Sequence, residues 1–247
     1  MRQRGPQPPH RIRPPRPPRP VESVEIGDGK ELFVECRGEG SPTILLEAGD
    51  ESGHEDWQAV VADLGAETRT CAYDRLGTGE SSPAEGCRGI DEIIGDLEAL
   101  PEAASIKAPY VFVGASGGGY LAAEMATRHP GDTAGLVLVE TPQAIVDIPP
   151  DVAPLLPCDA PTNIERRDYV AVEHAEWDDK AEIGDFPVVV ISDDSEDPTN
   201  VEAQKGWLVL SPNAEQVVVD SGHDVPINEP ELVVAKILEV LGTARTG

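Results

Sequence analysis

The segment Tyr110-Val-Phe-Val-Gly-Ala-Ser-Gly-Gly-Gly-Tyr120 contains the pattern Gly-x-Ser-x-Gly, with Ser116 at its centre. An apolar run precedes the serine and a helical stretch, Gly117–His129, follows it. That context predicts a sharp strand-to-helix turn with Ser116 at its apex. Small residues on both sides would let the strand and helix pass close together. The hydroxyl would then stand at a helix N-terminus. There the dipole and the Gly117 N–H favour negative charge on a substrate oxygen. A Gly-rich phosphate loop is the competing explanation. The segment lacks the Gly-Lys-Ser/Thr ending, and a dinucleotide fingerprint would normally follow the first strand.

A serine nucleophile needs a base, and the base needs a carboxylate to orient it. Of the five histidines, His10 lies in an N-terminal arm, His54 in a loop and His129 at a helix end. His174 belongs to an insertion. His223, in Asp220-Ser-Gly-His-Asp224, occupies a loop near the end of the chain and is the candidate base. For the acid, the loop after the apolar run Pro187–Ile191 offers Asp197, just before Pro198, and Asp194. Glu140, at the end of the apolar run Leu136–Val139, is a third choice. Of the three, Asp197 is the preferred acid.

These groups need a frame. Val21–Ile26 and Glu31–Cys36 alternate like half-buried strands across the turn Gly27-Asp28-Gly29. Short apolar runs follow at Thr43–Glu47, Arg69–Tyr73, Tyr110–Gly114, Leu136–Val139, Pro187–Ile191 and Gln216–Val219. Helical spacing appears at Asp56–Leu64, Gly89–Ala104, Gly117–His129 and Pro230–Leu241. Apolar strands alternating with helices imply a mostly parallel sheet covered on both faces. Residues of about 141–184 break the alternation. They are Pro-rich, then helical around Ile164–Asp179, and read as a small helical cap.

Taken together, these segments resemble the α/β-hydrolase superfamily over about residues 22–243. The elbow is one match. Others are Leu45-Leu-Glu-Ala-Gly49, Asp74-Arg-Leu-Gly77-Thr-Gly79-Glu-Ser81, Gly135–Val139 and Ser221-Gly-His-Asp224 with Asn228-Glu-Pro230. The resemblance implies an α/β-hydrolase fold with the triad in the order serine, acid, histidine. It also implies a second oxyanion donor from the loop after the third strand, by position the backbone N–H of Asp50. In this chain that loop departs from the family's usual His-Gly. It reads Ala48-Gly49 followed by Asp50, Glu51, Glu55 and Asp56.

The charge balance narrows the reaction partners. The formal net charge is −27, from 46 acidic and 19 basic side chains. Residues 1–20 contain six arginines, no acid and eight of the 24 prolines. This leaves 13 basic and 46 acidic side chains in residues 21–247, a net of −33. We therefore expect a disordered basic arm at 1–20 and a hydrolase domain at 21–247 that repels nucleic acid and anionic substrates. No apolar run is long enough for a membrane span or a signal peptide, which gives an expectation of a cytoplasmic protein. Cys36, Cys71, Cys87 and Cys158 lie far apart without metal-ligand spacing and are expected as reduced thiols.

The expected activity is a serine hydrolase acting on a small, neutral or cationic ester, lactone or thioester, with no metal or organic cofactor. Two alternatives use the same residues differently. One is a lyase or cyclase with His223 as proton shuttle, and the other is a non-catalytic ligand-binding module.

Overall fold

The computed structural model describes residues 21–142, 157–169, 172, 182–195 and 198–246. The arm at 1–20, the cap residues 143–156 and the loop pair 196–197 that includes Asp197 lie outside them. Of the expected cap helix, residues 164–168 form turns and a bridge, and most of the remainder also lies outside the described residues.

Eight strands form one sheet in the order β1-β2-β4-β3-β5-β6-β7-β8. The strands are β1 Val21–Gly27, β2 Lys30–Arg37, β3 Thr43–Glu47, β4 Thr70–Tyr73, β5 Tyr110–Ala115, β6 Thr133–Val139, β7 Val188–Asp193 and β8 Ala214–Val219. The β1–β2 and β2–β4 pairs are antiparallel, and the other pairs are parallel. The hairpin thus forms one edge, and β5 lies near the middle of the sheet.

Strand periodicity divides the core in two. Leu45, Phe112, Leu136 and Val190 face one side, packing with α2 (Ile90–Ala103) and α3 (Gly117–Arg128). Their sequence neighbours Ile44, Val111, Val137 and Val189 face the other. There they pack with α1 (Gln58–Leu64) and a long final helix, Pro230–Ala244. Both faces are therefore covered, as continuous apolar strands require. Between β7 and β8 the chain adds α4 (Pro198–Gln204) and a 3₁₀ turn, Lys205–Leu210. No apolar periodicity marks α4. Two helices follow β8: the four-residue α5 (Val225–Asn228) and the final helix, α6.

The cysteines correct one expectation. Cys36 and Cys71 are register partners on β2 and β4, with Cα atoms 4.1 Å apart, and form a disulfide. Cys87 and Cys158 form a second, tying the segment before α2 to the cap. Both links join residues far apart in sequence, 35 and 71 positions, so spacing along the chain could not reveal them. Disulfides persist in oxidising surroundings, which counts against a reducing cytoplasm. Thiol titration of the unfolded, unreduced protein is expected to find no free cysteine, whereas four would mean that both pairs are reduced. Among the described residues, no helix is long and apolar enough to cross a membrane.

Candidate active site

Ser116 occupies the turn between β5 and α3 with φ 49° and ψ −128°, a region that a residue with a Cβ rarely adopts. Two hydrogen bonds hold it there. The Ser116 N–H donates to the Val139 carbonyl at 2.8 Å, and the Gly119 N–H donates to the Ser116 carbonyl at 2.9 Å. The run of glycines after it reflects close packing. A Cβ on Gly119 would lie 1.8 Å from Oγ1 of the fully buried Thr141. Gly119→Ala should therefore destabilise the fold by about 1–3 kcal/mol, read as a lowered midpoint in urea. An unchanged midpoint would show that the elbow can relax.

The His223 side chain arrives from the loop after β8, and its Nε2 lies 2.9 Å from Ser116 Oγ. Asp193, at the end of β7, fixes that loop. Its Oδ1 accepts the N–H groups of Ser221 and Gly222 at 2.8 and 2.9 Å, and its Oδ2 accepts the Ser195 hydroxyl at 2.6 Å. Burial opposes the charged form of Asp193. The hydrogen bonds from Ser195, Ser221 and Gly222 outweigh it and hold the carboxyl down at about 2.

Asp193 thus has a depressed folded-state pKa. Its stabilisation is present above the unfolded value, about 4, and is lost as pH falls towards about 2. Asp193→Asn should lower stability at neutral pH and flatten the acid limb of a stability–pH curve in that window. Unaltered acid unfolding would count against this clamp.

The candidate acids fare differently. Glu140, buried and at φ 46°, places Oε2 3.5 Å from His223 Nδ1. Its Oε1 accepts the Asp193 N–H at 2.5 Å and the Gln204 side-chain amide at 3.1 Å. Asp194 is exposed, and its N–H donates to the Val219 carbonyl. Asp197 lies outside the described residues. His54 belongs to the frame instead. It is buried, with Nδ1 2.9 Å from Oδ1 of the fully buried Asp74.

The Asp50 side chain packs against Gly117, the residue that follows the serine. Neither backbone N–H donates to another described residue. Arg75 braces the Asp50 loop. Its guanidinium donates to the Ala48 carbonyl at 2.7 Å and the Gly49 carbonyl at 2.6 Å, and it pairs with Glu47 and Glu165. Glu165 also accepts the Glu51 N–H at 2.5 Å. Burial alone would raise the Glu165 carboxyl, but Arg75 holds it below the ordinary value. The sequence pattern gave no sign of this buried network, apart from the Asp74-Arg75 pair in the segment after β4.

A pocket of about 170 Å³ opens above Ser116. Gly49, Asp50, Trp57, Pro226 and Ile227 line it, together with Asp56 and Asp224. Among its described lining residues none is a lysine or arginine. Of the acids in the Asp50–Asp56 segment, Asp50 and Asp56 border this pocket.

Residues 42–166 match the family model described as alpha/beta hydrolase fold. The chain is 26% identical to the uncharacterised protein YqjL of Bacillus subtilis (strain 168), over 89% of this chain and 92% of that one. Its structure resembles a thermophilic esterase from Thermogutta terrifontis, with a TM-score of 0.75 at 22% identity, covering 92% of this chain and 99% of that one. It also resembles the enol-lactonase of Burkholderia xenovorans LB400, with a TM-score of 0.66 at 21% identity, covering 90% and 100%. At such identities the structural likeness speaks for the fold alone.

Proposed function

The chain belongs to the α/β-hydrolase fold family, and from that premise we propose that it is a serine hydrolase cleaving a small carboxylic ester, lactone or thioester through an acyl-enzyme on Ser116. The observation that carries this reading is the 2.9 Å contact between Ser116 Oγ and His223 Nε2 at the floor of an open pocket. In this mechanism His223 Nε2 takes the hydroxyl proton as Oγ attacks the carbonyl carbon. The N–H groups of Asp50 and Gly117 receive the oxyanion. His223 then passes the proton to the leaving alcohol or thiol. Water, deprotonated by the same nitrogen, attacks the acyl-enzyme and releases the acid. The esterase and the enol-lactonase with the same fold are named for ester and lactone substrates, which is why both classes enter the test below.

For the orienting acid we keep Asp197. The 3.5 Å from Glu140 to His223 exceeds a normal hydrogen bond, and Glu140 Oε1 is already shared by two donors. Asp193 ties the start of the β7 loop to the His223 loop, and Asp197 lies four residues further on. Glu140 then adds negative charge near Nδ1 of the imidazole.

The test is a fluorophosphonate probe followed by peptide mass spectrometry, alongside a screen of p-nitrophenyl esters of graded length and simple lactones. A label on Ser116 together with ester or lactone turnover is expected. Turnover without a label at Ser116 would exclude the acyl-enzyme. In the same screen the acidic pocket should favour neutral or cationic acyl groups over carboxylate-bearing ones. The preference should weaken as salt screens the charges, and faster turnover of anionic esters would contradict it.

A further inference from the structure

Asp50 presents a difficulty for the reading above. Its N–H is wanted at the oxyanion hole, but its carboxylate is a negative charge in the same place. The side chain lies flat against the Gly117 Cα, where a Cβ would come within 2.1 Å of Oδ1 and 2.3 Å of Oδ2. That position is one peptide from Ser116, where a substrate oxygen would gain its charge. Like charges so close, in a partly water-excluded site, oppose the transition state.

The structure supplies the counter-charge from the cap. Arg167, 1% exposed, points its Nη1 at the Asp50 carboxylate and its Nη2 at the Gly117 carbonyl, 3.3 Å away. Its backbone is held firmly. The Asn163 side chain accepts the Arg167 N–H at 3.0 Å and donates to the Arg167 carbonyl at 2.8 Å. Arg88 exchanges backbone hydrogen bonds with Arg166 and Asp168, next to the Cys87–Cys158 disulfide. The guanidinium also lies 5.4 Å from the centre of the Tyr169 ring. Glu165 and Arg75, the neighbouring charges, are paired with each other. A guanidinium buried this deeply is retained only with a partner, and among the described residues the carboxylate it pairs with is that of Asp50.

We propose that Arg167 is a positioning residue of the oxyanion hole, which draws the Asp50 carboxylate to itself and masks its charge while leaving the Asp50 N–H free to bind substrate oxygen. The proposal rests on Ser116 as nucleophile and Asp50 as an oxyanion donor, and it makes the cap segment part of the reaction's electrostatics.

The test is a double-mutant cycle read by kcat, KM and the affinity of an arylboronic acid, whose serine adduct carries the same tetrahedral negative charge. Arg167→Met should lower kcat about 100-fold, with KM changed far less, and weaken boronate binding by a similar factor. Adding Asp50→Asn to Arg167→Met, which keeps the N–H and removes the charge, should recover most of both losses. A double variant as impaired as Arg167→Met would overturn the proposal and leave Arg167 a packing residue. So would boronate affinity that does not follow kcat. If Arg167→Met does not fold, Arg167→Lys decides the matter. Activity within about tenfold of the parent supports charge masking, because lysine keeps the cation, and a hundredfold loss overturns it. Fluorophosphonate labelling of the unmodified protein separates the two readings. If Ser116 is not labelled, the serine-hydrolase reading fails whatever the Arg167 variants do.

Discussion

Ser116→Ala is expected to lower kcat by about 10⁵–10⁶-fold while the protein stays folded. The substitution removes the proposed nucleophilic oxygen and leaves the elbow in place. The hydrogen bonds that hold the turn, to the Val139 carbonyl and from the Gly119 N–H, use backbone atoms only. Alanine carries the same Cβ into the φ 49° conformation, so the strain is unchanged. The residual rate should come from the oxyanion donors and substrate binding alone. Because Ser116 and His223 act on one proton, His223→Ala should cost nearly as much, and the double variant little more than either. Steady-state hydrolysis of a p-nitrophenyl ester, with calorimetry as the control for folding, measures all three. Ser116→Ala retaining activity within tenfold, with His223→Ala inactive, would sink the acyl-enzyme and leave the proton-shuttle chemistry of a lyase.

The second large effect concerns the acid behind His223. With Asp197 as the proposed acid, Asp197→Ala should cost about 10³–10⁴-fold in kcat, the expected loss when an imidazole base is deprived of the carboxylate that fixes its tautomer and stabilises its charged form. Glu140→Gln should cost no more than about tenfold. The glutamine keeps an acceptor for the Asp193 N–H and preserves the link to Gln204. It removes only a charge 3.5 Å from His223 Nδ1. Comparing kcat and the pH–rate profile of the two variants decides between them. If Glu140→Gln falls by 10³ or more and Asp197→Ala is spared, the acid is the glutamate that ends β6. Equal, moderate losses in both would mean that the two carboxylates share the role.

The sequence alone was sufficient for most of the frame. The inner parallel strands announced themselves as short apolar runs, because burial on both faces forbids polar interruption, whereas the edge strand β8 is only partly buried and opens on Ala214-Glu215-Gln216. The Gly-x-Ser-x-Gly turn was legible because a strained apex and close packing admit few residue types, and Gly119 against Thr141 shows how little room remains. His223 could be chosen by elimination and chain order, and the structure brings it to Ser116. Helix α4 left no comparable trace: it is short and mostly polar, and no apolar stripe marks it.

What only the tertiary structure decided involves pairs remote in sequence. Cys36 meets Cys71 because the register of β2 on β4 sets them opposite each other, a relation that no local pattern encodes. Glu140 comes beside His223, and Asp193 clamps the histidine loop, because β6, β7 and β8 lie side by side with their ends aligned. Arg75 lies in the family-like segment after β4, whereas Glu165 and Arg167 read in the sequence as ordinary surface charges. All three become buried braces of the Asp50 loop where the segment around Glu165–Arg167 packs against it. Local chemistry is written in residue types and short spacings. The partners that tune it are chosen by packing, which joins residues that the chain itself keeps far apart.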